Sequence, residues 1–144
     1  MTHPALEGYP VSVSIPIQWG DMDAYGHVNN TVFFRLFESA RMAYLRKCGF
    51  HDPQGSRTVG PILHSTSCRF RRPLTFPDDT LVGARASDIQ TDRFTMEYAI
   101  ISTAQDAVAG EGQGIIVSYD YSSAAKAPIP SDVLEGIRRI EGLD

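Results

Sequence analysis

The chain has 144 residues, 42% of them hydrophobic and 21% charged, enough for one buried core and too few for a second domain of ordinary size, so a single domain over residues 1–144 is expected. A formal net charge of −4 and an isoelectric point near 5.5 exclude a global electrostatic footprint for nucleic acid or an anionic membrane, so any anion site must be local. Residues 1–8 carry neither a basic run nor an apolar one, and nothing later could span a bilayer, which leads us to expect a cytoplasmic protein.

From Pro10 to Trp19, apolar and polar residues alternate, with Val11, Val13, Ile15, Ile17 and Trp19 on one face of a half-buried strand. Pro16 lacks an N–H donor, so this strand should lie at a sheet edge or carry a bulge. From about Thr31 to Lys47 the period becomes helical: Phe33, Leu36, Phe37, Ala40 and Tyr44 form a stripe that Val32, Phe34, Ala43 and Leu45 broaden. Such a helix should be mostly enclosed. Arg46 and Lys47 complement its C-terminal dipole, and Gly49 supplies a left-handed stop. Glu38, three residues from both Arg35 and Arg41, reads as an exposed ion-pairing residue.

Residues 51–60 read as a loop, helped by Pro53 and Gly55. Strand-like segments follow at about Ile62–Arg72, Thr80–Ile89, Phe94–Thr103 and Val108–Tyr119, giving a strand, a helix and an antiparallel meander as the simplest topology. The last strand carries Gly110, Gly112 and Gly114 on one face, where something bulky must approach closely; the helix with Phe33, Phe37 and Tyr44 is the natural visitor. After the Ser122–Ala127 linker, Ser131 is a plausible cap for a short peripheral helix bearing Val133, Leu134, Ile137 and Ile140. Cys48 and Cys68 have no metal or redox spacing and read as reduced, buried small hydrophobes.

The chemistry is concentrated in Trp19-Gly20-Asp21-Met22-Asp23-Ala24-Tyr25-Gly26-His27-Val28-Asn29-Asn30-Thr31, where an extended segment gives way to the helix. A helix N-terminus offers unpartnered N–H groups and partial positive charge, suited to negative charge developing on a carbonyl oxygen. A carboxylate held just upstream can act on the carbonyl carbon as a nucleophile or as the base that activates water. Plainer roles stand beside these: Asp21 as a turn residue, Asn29 or Asn30 as the helix cap, the role favoured for Asn30, and His27 as a hydrogen-bonded structural residue. Asp21, Asp23 and His27 lack any recognised metal-ligand spacing.

Trp19 to Asp23, the Gly26-His27-Val28-Asn29-Asn30 run and Phe37-Glu38-Ser39-Ala40-Arg41 together resemble the signature of hotdog-fold acyl-CoA thioesterases of the 4-hydroxybenzoyl-CoA thioesterase family. The His-Val-Asn-Asn portion is also similar to bacterial long-chain acyl-CoA thioesterases and plant acyl-ACP thioesterases. Phe70-Arg71-Arg72-Pro73-Leu74 and Asp78-Asp79 fit as well, so the resemblance covers nearly the whole chain. It implies an α+β hotdog fold, a curved five-stranded antiparallel sheet around one long central helix with a short C-terminal helix. The glycine stripe of the last strand agrees with it.

In aspartate-type members the catalytic carboxylate is the second Asp of the Gly-Asp-x-Asp run, here Asp23, and the oxyanion donor is the helix-start N–H seven residues on, here Asn30. Other hotdog thioesterases place a catalytic Glu on the helix, which keeps Glu38 in reserve. The acyl-ACP relatives have Asp-x-Asn-x-His; here the positions are Asp23, Tyr25 and His27, a departure that leaves the role of His27 open.

The implied substrate is an acyl-CoA, with neither cofactor nor metal. Arg71, Arg72 and Arg93, with Arg69, are candidate phosphate contacts. The resemblance further implies a homodimer or homotetramer, with the strand around Pro61–Ser65 lining the partner's pocket and His64 and Ser65 touching substrate. A hotdog hydratase would require an Asp-x-Asn-Pro-x-His run that is absent, and a non-catalytic acyl-CoA binding module is the other alternative.

Overall fold

Alternation of small polar and β-branched residues makes β1 (Val11–Pro16), and Pro16 sits where a missing N–H costs nothing, because β1 pairs only with β3 and forms one edge of the sheet. The computed structural model describes residues 2–52, 54, 55 and 57–143. Its elements continue with α1 (Asn30–Lys47), β2 (Val59–Phe70), β3 (Asp79–Ser87), β4 (Arg93–Ser102), β5 (Ala107–Asp120), β6 (Ala125–Lys126) and α2 (Ser131–Glu141). Each expected strand is present within about three residues. Pro53, which supported the expected loop, lies outside the described residues.

The sheet order is β1-β3-β4-β5-β2, antiparallel throughout, with the two-residue β6 beside the end of β5. The continuous meander is thereby corrected. Strands β3, β4 and β5 do follow one another through tight turns, but β2 pairs with β5 and forms the opposite edge. The sheet curls around α1, whose Phe33, Leu36, Phe37, Ala40, Tyr44 and Leu45 are buried against Val82, Ala84, Phe94, Met96, Ile100 and Ile116. This is the hotdog arrangement. Trp19 departs from the expected buried face: the chain leaves β1 for a single 3-10 turn, Trp19–Asp21, and the indole stands exposed, edge-on to Phe76 at 5.9 Å.

The glycine stripe of β5 receives the helix at two of its three positions. A Cβ on Gly110 would lie 3.0 Å from the Phe33 ring, and one on Gly112 would overlap the Phe37 ring and come within 2.6 Å of the Ser67 carbonyl. At Gly114 the visitors are Leu63, the Ser65 carbonyl and the Tyr98 hydroxyl, not Tyr44. Tyr44 is wholly buried further along α1 and donates to Glu141 at 2.6 Å, which also accepts from the Ala86 N–H at 2.9 Å and so ties α2 across the sheet. The helix α2 buries Val133 and Ile137; its cap position is Pro130, and Ser131 is its first residue without a side-chain cap bond. Among the described residues no helix is long and apolar enough to cross a membrane.

Candidate functional site

Two carboxylates two residues apart are given opposite environments by the turn that leads into α1. Asp21 is 7% exposed and saturated: one oxygen accepts from the Gln18 N–H at 2.9 Å, the other from Arg35 at 2.8 Å, and its carbonyl accepts from the Asn29 N–H at 2.9 Å. It therefore pins the turn to α1. Arg35 is thus committed to Asp21 and not to Glu38, which pairs with Arg41 alone, at 3.7 Å.

Asp23 is exposed, one carboxylate oxygen accepting from the Tyr25 N–H at 2.8 Å. Its backbone closes a tight loop: the Asp23 N–H donates to the His27 carbonyl at 2.8 Å, and the Gly26 N–H to the Asp23 carbonyl at 3.0 Å. Gly26 makes the reversal at φ +75, in the left-handed region where a side chain is strained. Buried Val28 then anchors the loop by donating to the Leu74 carbonyl at 2.8 Å.

At the helix start the structure decides between the two candidate caps, against the favoured Asn30. Asn29 is the N-cap, extended at φ −61 and ψ 143, its side-chain oxygen accepting from the Thr31 N–H at 3.0 Å. Asn30 is the first helical residue, and its N–H has no acceptor among the described hydrogen bonds. Asp23, Tyr25, His27 and Asn30 share one open cleft of about 320 Å³ with Phe33, Phe70, Arg71 and Arg72. Fixed positive potential from the helix end and an exposed carboxylate thus face the same small volume.

The other candidates are dispersed. Arg71 lines the cleft but is held by Glu111 at 2.9 Å, whereas Arg72 lines it with no ion-pair partner among the described residues. Arg93 begins β4 opposite Val117 and pairs with Asp92 at 3.0 Å; Phe70 lies opposite Gly110, seven β5 positions away, or about 23 Å at strand spacing. It does not belong to this chain's cleft. His64 and Ser65 are exposed on β2 at an irregularity between Leu63 and Ser65, also outside it.

A larger depression of about 530 Å³ lies on the opposite face of the sheet, where Arg69 joins Tyr9, Arg85, Glu97 and Glu111. Ion pairs between neighbouring strands cross it, as in Arg85–Glu97 at 3.1 Å, and it holds no helix terminus. Cys68 is half-buried on β2, and burial pushes its thiol up to about 11. Among the described residues no group of three His, Cys, Asp or Glu side chains is placed to hold a metal. Sequence reading took Arg41 as an exposed ion-pairing neighbour of Glu38; it is buried on α1 against Tyr98, and its spacing from Phe37 and Ala40 within the apolar stripe was the available signal.

Comparison with known proteins bears on this geometry. The family model described as the thioesterase-like superfamily matches residues 17–137, which include the turn, α1 and the whole sheet from β2 to β6. The chain belongs to the thioesterase-like superfamily. Among solved structures of similar fold, a thioesterase from Thermus thermophilus, complexed with coenzyme A and zinc, is 28% identical, with 96% of this chain and 98% of that one covered and a TM-score of 0.82. The PA5185 protein from Pseudomonas aeruginosa strain PAO1 is also 28% identical, covering 93% of each chain at a TM-score of 0.83. A thioesterase superfamily structure from Jannaschia sp. CCS1, 23% identical with 99% of this chain and 94% of that one covered, shares the fold at a TM-score of 0.85. The chain spans 66% of the length of a curated Aquifex aeolicus relative, 28% identical over 85 residues or 58% of this chain. For this superfamily member, the cleft at the start of α1 is the candidate site.

Proposed function

We propose that this chain is an acyl-CoA thioesterase of the 4-hydroxybenzoyl-CoA thioesterase family, aspartate type, hydrolysing its substrate to a free acid and coenzyme A. One observation carries the reading: the exposed Asp23 lines the same cleft as Asn30, whose N–H has no acceptor among the described residues. Superfamily membership supports it.

In this mechanism the thioester carbonyl oxygen accepts from the Asn30 N–H, where the helix terminus stabilises the charge of the tetrahedral intermediate. Asp23 either attacks the carbonyl carbon, giving a mixed anhydride that water then opens, or removes the proton of an attacking water. Either way the carbon–sulfur bond breaks and coenzyme A leaves as the thiolate. Asp21 holds the turn through Arg35 and does not touch substrate. His27 and Tyr25 form the polar wall beside Asp23, and Arg72, with Arg71, meets coenzyme A phosphate at the mouth.

His64 and Ser65 enter through self-association. The β2 edge bears no partner strand, and a second copy laid along it brings those residues toward the neighbouring cleft, so the working unit is a homodimer, which can pair into a homotetramer.

The test is thiol release from short, medium, long and aromatic acyl-CoAs, comparing wild type with Asp23→Asn. The expected loss is about 10²–10⁴-fold in kcat for a folded variant. Tight acyl-CoA binding without turnover in the wild type would instead identify a binding module.

A further inference from the structure

The cleft at the start of α1 has two kinds of wall. Asp23, His27 and Arg72 supply polar groups, while Val28, Phe33, Phe70 and Pro73 supply apolar surface. Two of the apolar residues meet as rings: Phe33 of α1 and Phe70, the last residue of β2, pack edge to face with centroids 5.0 Å apart. Phe33 is fixed from behind. Its ring is 2% exposed and lies against β5, where even a methyl group at Gly110 would come within 3.0 Å of it. Phe70 is the freer of the two, 44% exposed, and the Phe34 ring, 6.3 Å from it, does not line the cleft.

Asn30 and Phe33 are three residues apart on α1, an interval over which the helix rises about 4.5 Å. Helical side chains lean toward the N-terminus, so the Phe33 ring covers the turn that begins at Asn30. Extended chain advances roughly 1.2 Å per bond, which leaves about three or four bonds between a carbonyl held at the Asn30 N–H and the rings. The volume agrees. A cleft of about 320 Å³, at about 30 Å³ for each water-sized group, takes about ten non-hydrogen atoms, and the thioester with the first atoms of the pantetheine arm claims several of them.

We infer that the Phe33–Phe70 ring pair limits the length of the acyl group, making thioesters of short acyl chains, about two to five carbons, the favoured substrate class and Phe70 the residue that sets the limit. The inference rests on the thioesterase reading above and deepens it. A short chain buries itself against the apolar walls and stops at the rings. A longer one must displace Phe70 or leave its end in water, because Phe33 is backed by the strand behind it. Truncating Phe70 removes the stop and extends the apolar wall to the Phe34 ring.

The experiment is a ladder of straight-chain acyl-CoAs, from about two to about twelve carbons, with kcat/KM measured for wild type, Phe70→Ala and Asp23→Asn. A single methylene that does not fit a pocket discriminates by about tenfold or more, so wild-type kcat/KM should peak at about two to five carbons and be at least about tenfold lower by about eight. In Phe70→Ala the ratio of longer to shorter substrates, about eight carbons against about four, should rise at least about tenfold. Phe70 lies outside the buried core, so its truncation spares the fold. The ratio also cancels any loss through weaker self-association, which acts on every chain length alike. A wild-type profile without that fall, or a Phe70→Ala ratio equal to that of wild type, overturns the assignment while leaving the thioesterase reading standing. No thiol release from any member, with wild type and Asp23→Asn alike, removes both.

Discussion

Asn29 and Asn30 are chemically identical and do different work, which gives a clean way to separate capping from catalysis. Asn29 acts through its side chain, so Asn29→Ala should lose the cap, costing about 1 kcal/mol and a few degrees of Tm, with activity falling only as the helix start loosens. Asn30 acts, in the proposed mechanism, through its backbone. Proline is tolerated at the first helical position, and the extended Asn29 already has the conformation that a following proline demands. Asn30→Pro therefore deletes one N–H that has no acceptor among the described residues. Thermal melting should show a fold close to wild type, while kcat drops about 10²–10³-fold, the loss of one oxyanion donor. Asn30→Ala, which keeps the N–H, should stay active; inactivity there would move the role to the side chain. The sequence showed an acid upstream of a helix start, but which asparagine caps depends on one residue of register that periodicity does not resolve. The thiols give a separate expectation. With Cys68 pushed up to about 11 and Cys48 raised by burial, both stay protonated at pH 8, so native protein should react far more slowly with a thiol reagent than unfolded protein.

At the scale of elements, the close approach of α1 to β5 is the most constrained contact. A methyl group at Gly112 would press on the Phe37 ring and lie 2.6 Å from the Ser67 carbonyl, and a backbone oxygen in a paired strand cannot step aside. Gly112→Ala should cost about 1–3 kcal/mol by overpacking, read as a lower denaturation midpoint, whereas Gly20→Ala, with open space around it, should cost little. The stripe was legible because three glycines on one strand face are costly to a strand unless something packs closely there; the visitor at Gly114 was not, since Leu63 comes from a strand whose partner the sequence did not reveal. Short turns at residues 88–92 and 103–106 announced the β3–β4–β5 hairpins. The longer connection at residues 71–78 was the one sign that β2 does not pair with β3, and length alone does not say where it goes. Arg41 was read only as an exposed ion-pair partner of Glu38, because a cation beside an apolar stripe is ordinarily solvated, and its burial depends on Tyr98 in the sheet beneath it.

The two edges of the sheet differ in a way that bears on the whole molecule. Strand β1 is six residues long and carries Pro16, devices that discourage further pairing. Strand β2 is twelve residues long, with Ile62 and Leu63 each 39% exposed and Phe70 44% exposed, and only Pro61, near its start, interrupts its donors. Such an edge is a template for another strand, and antiparallel pairing of two identical strands satisfies a two-fold axis with one self-complementary surface. The proposed dimer follows, and it has a kinetic consequence, since in that proposal His64 and Ser65 reach the neighbouring cleft only when the two edges pair. Ile62→Lys places a charge on that surface without touching Asp23, Asn30 or the buried core. Sedimentation should show wild type at twice 15.9 kDa or a multiple of it and Ile62→Lys shifted toward 15.9 kDa, with thiol release falling in parallel. A wild-type protein that sediments as a fully active monomer at micromolar concentration would refute the shared site. Loss of activity in a variant still dimeric would assign Ile62 to the pocket wall instead of the interface.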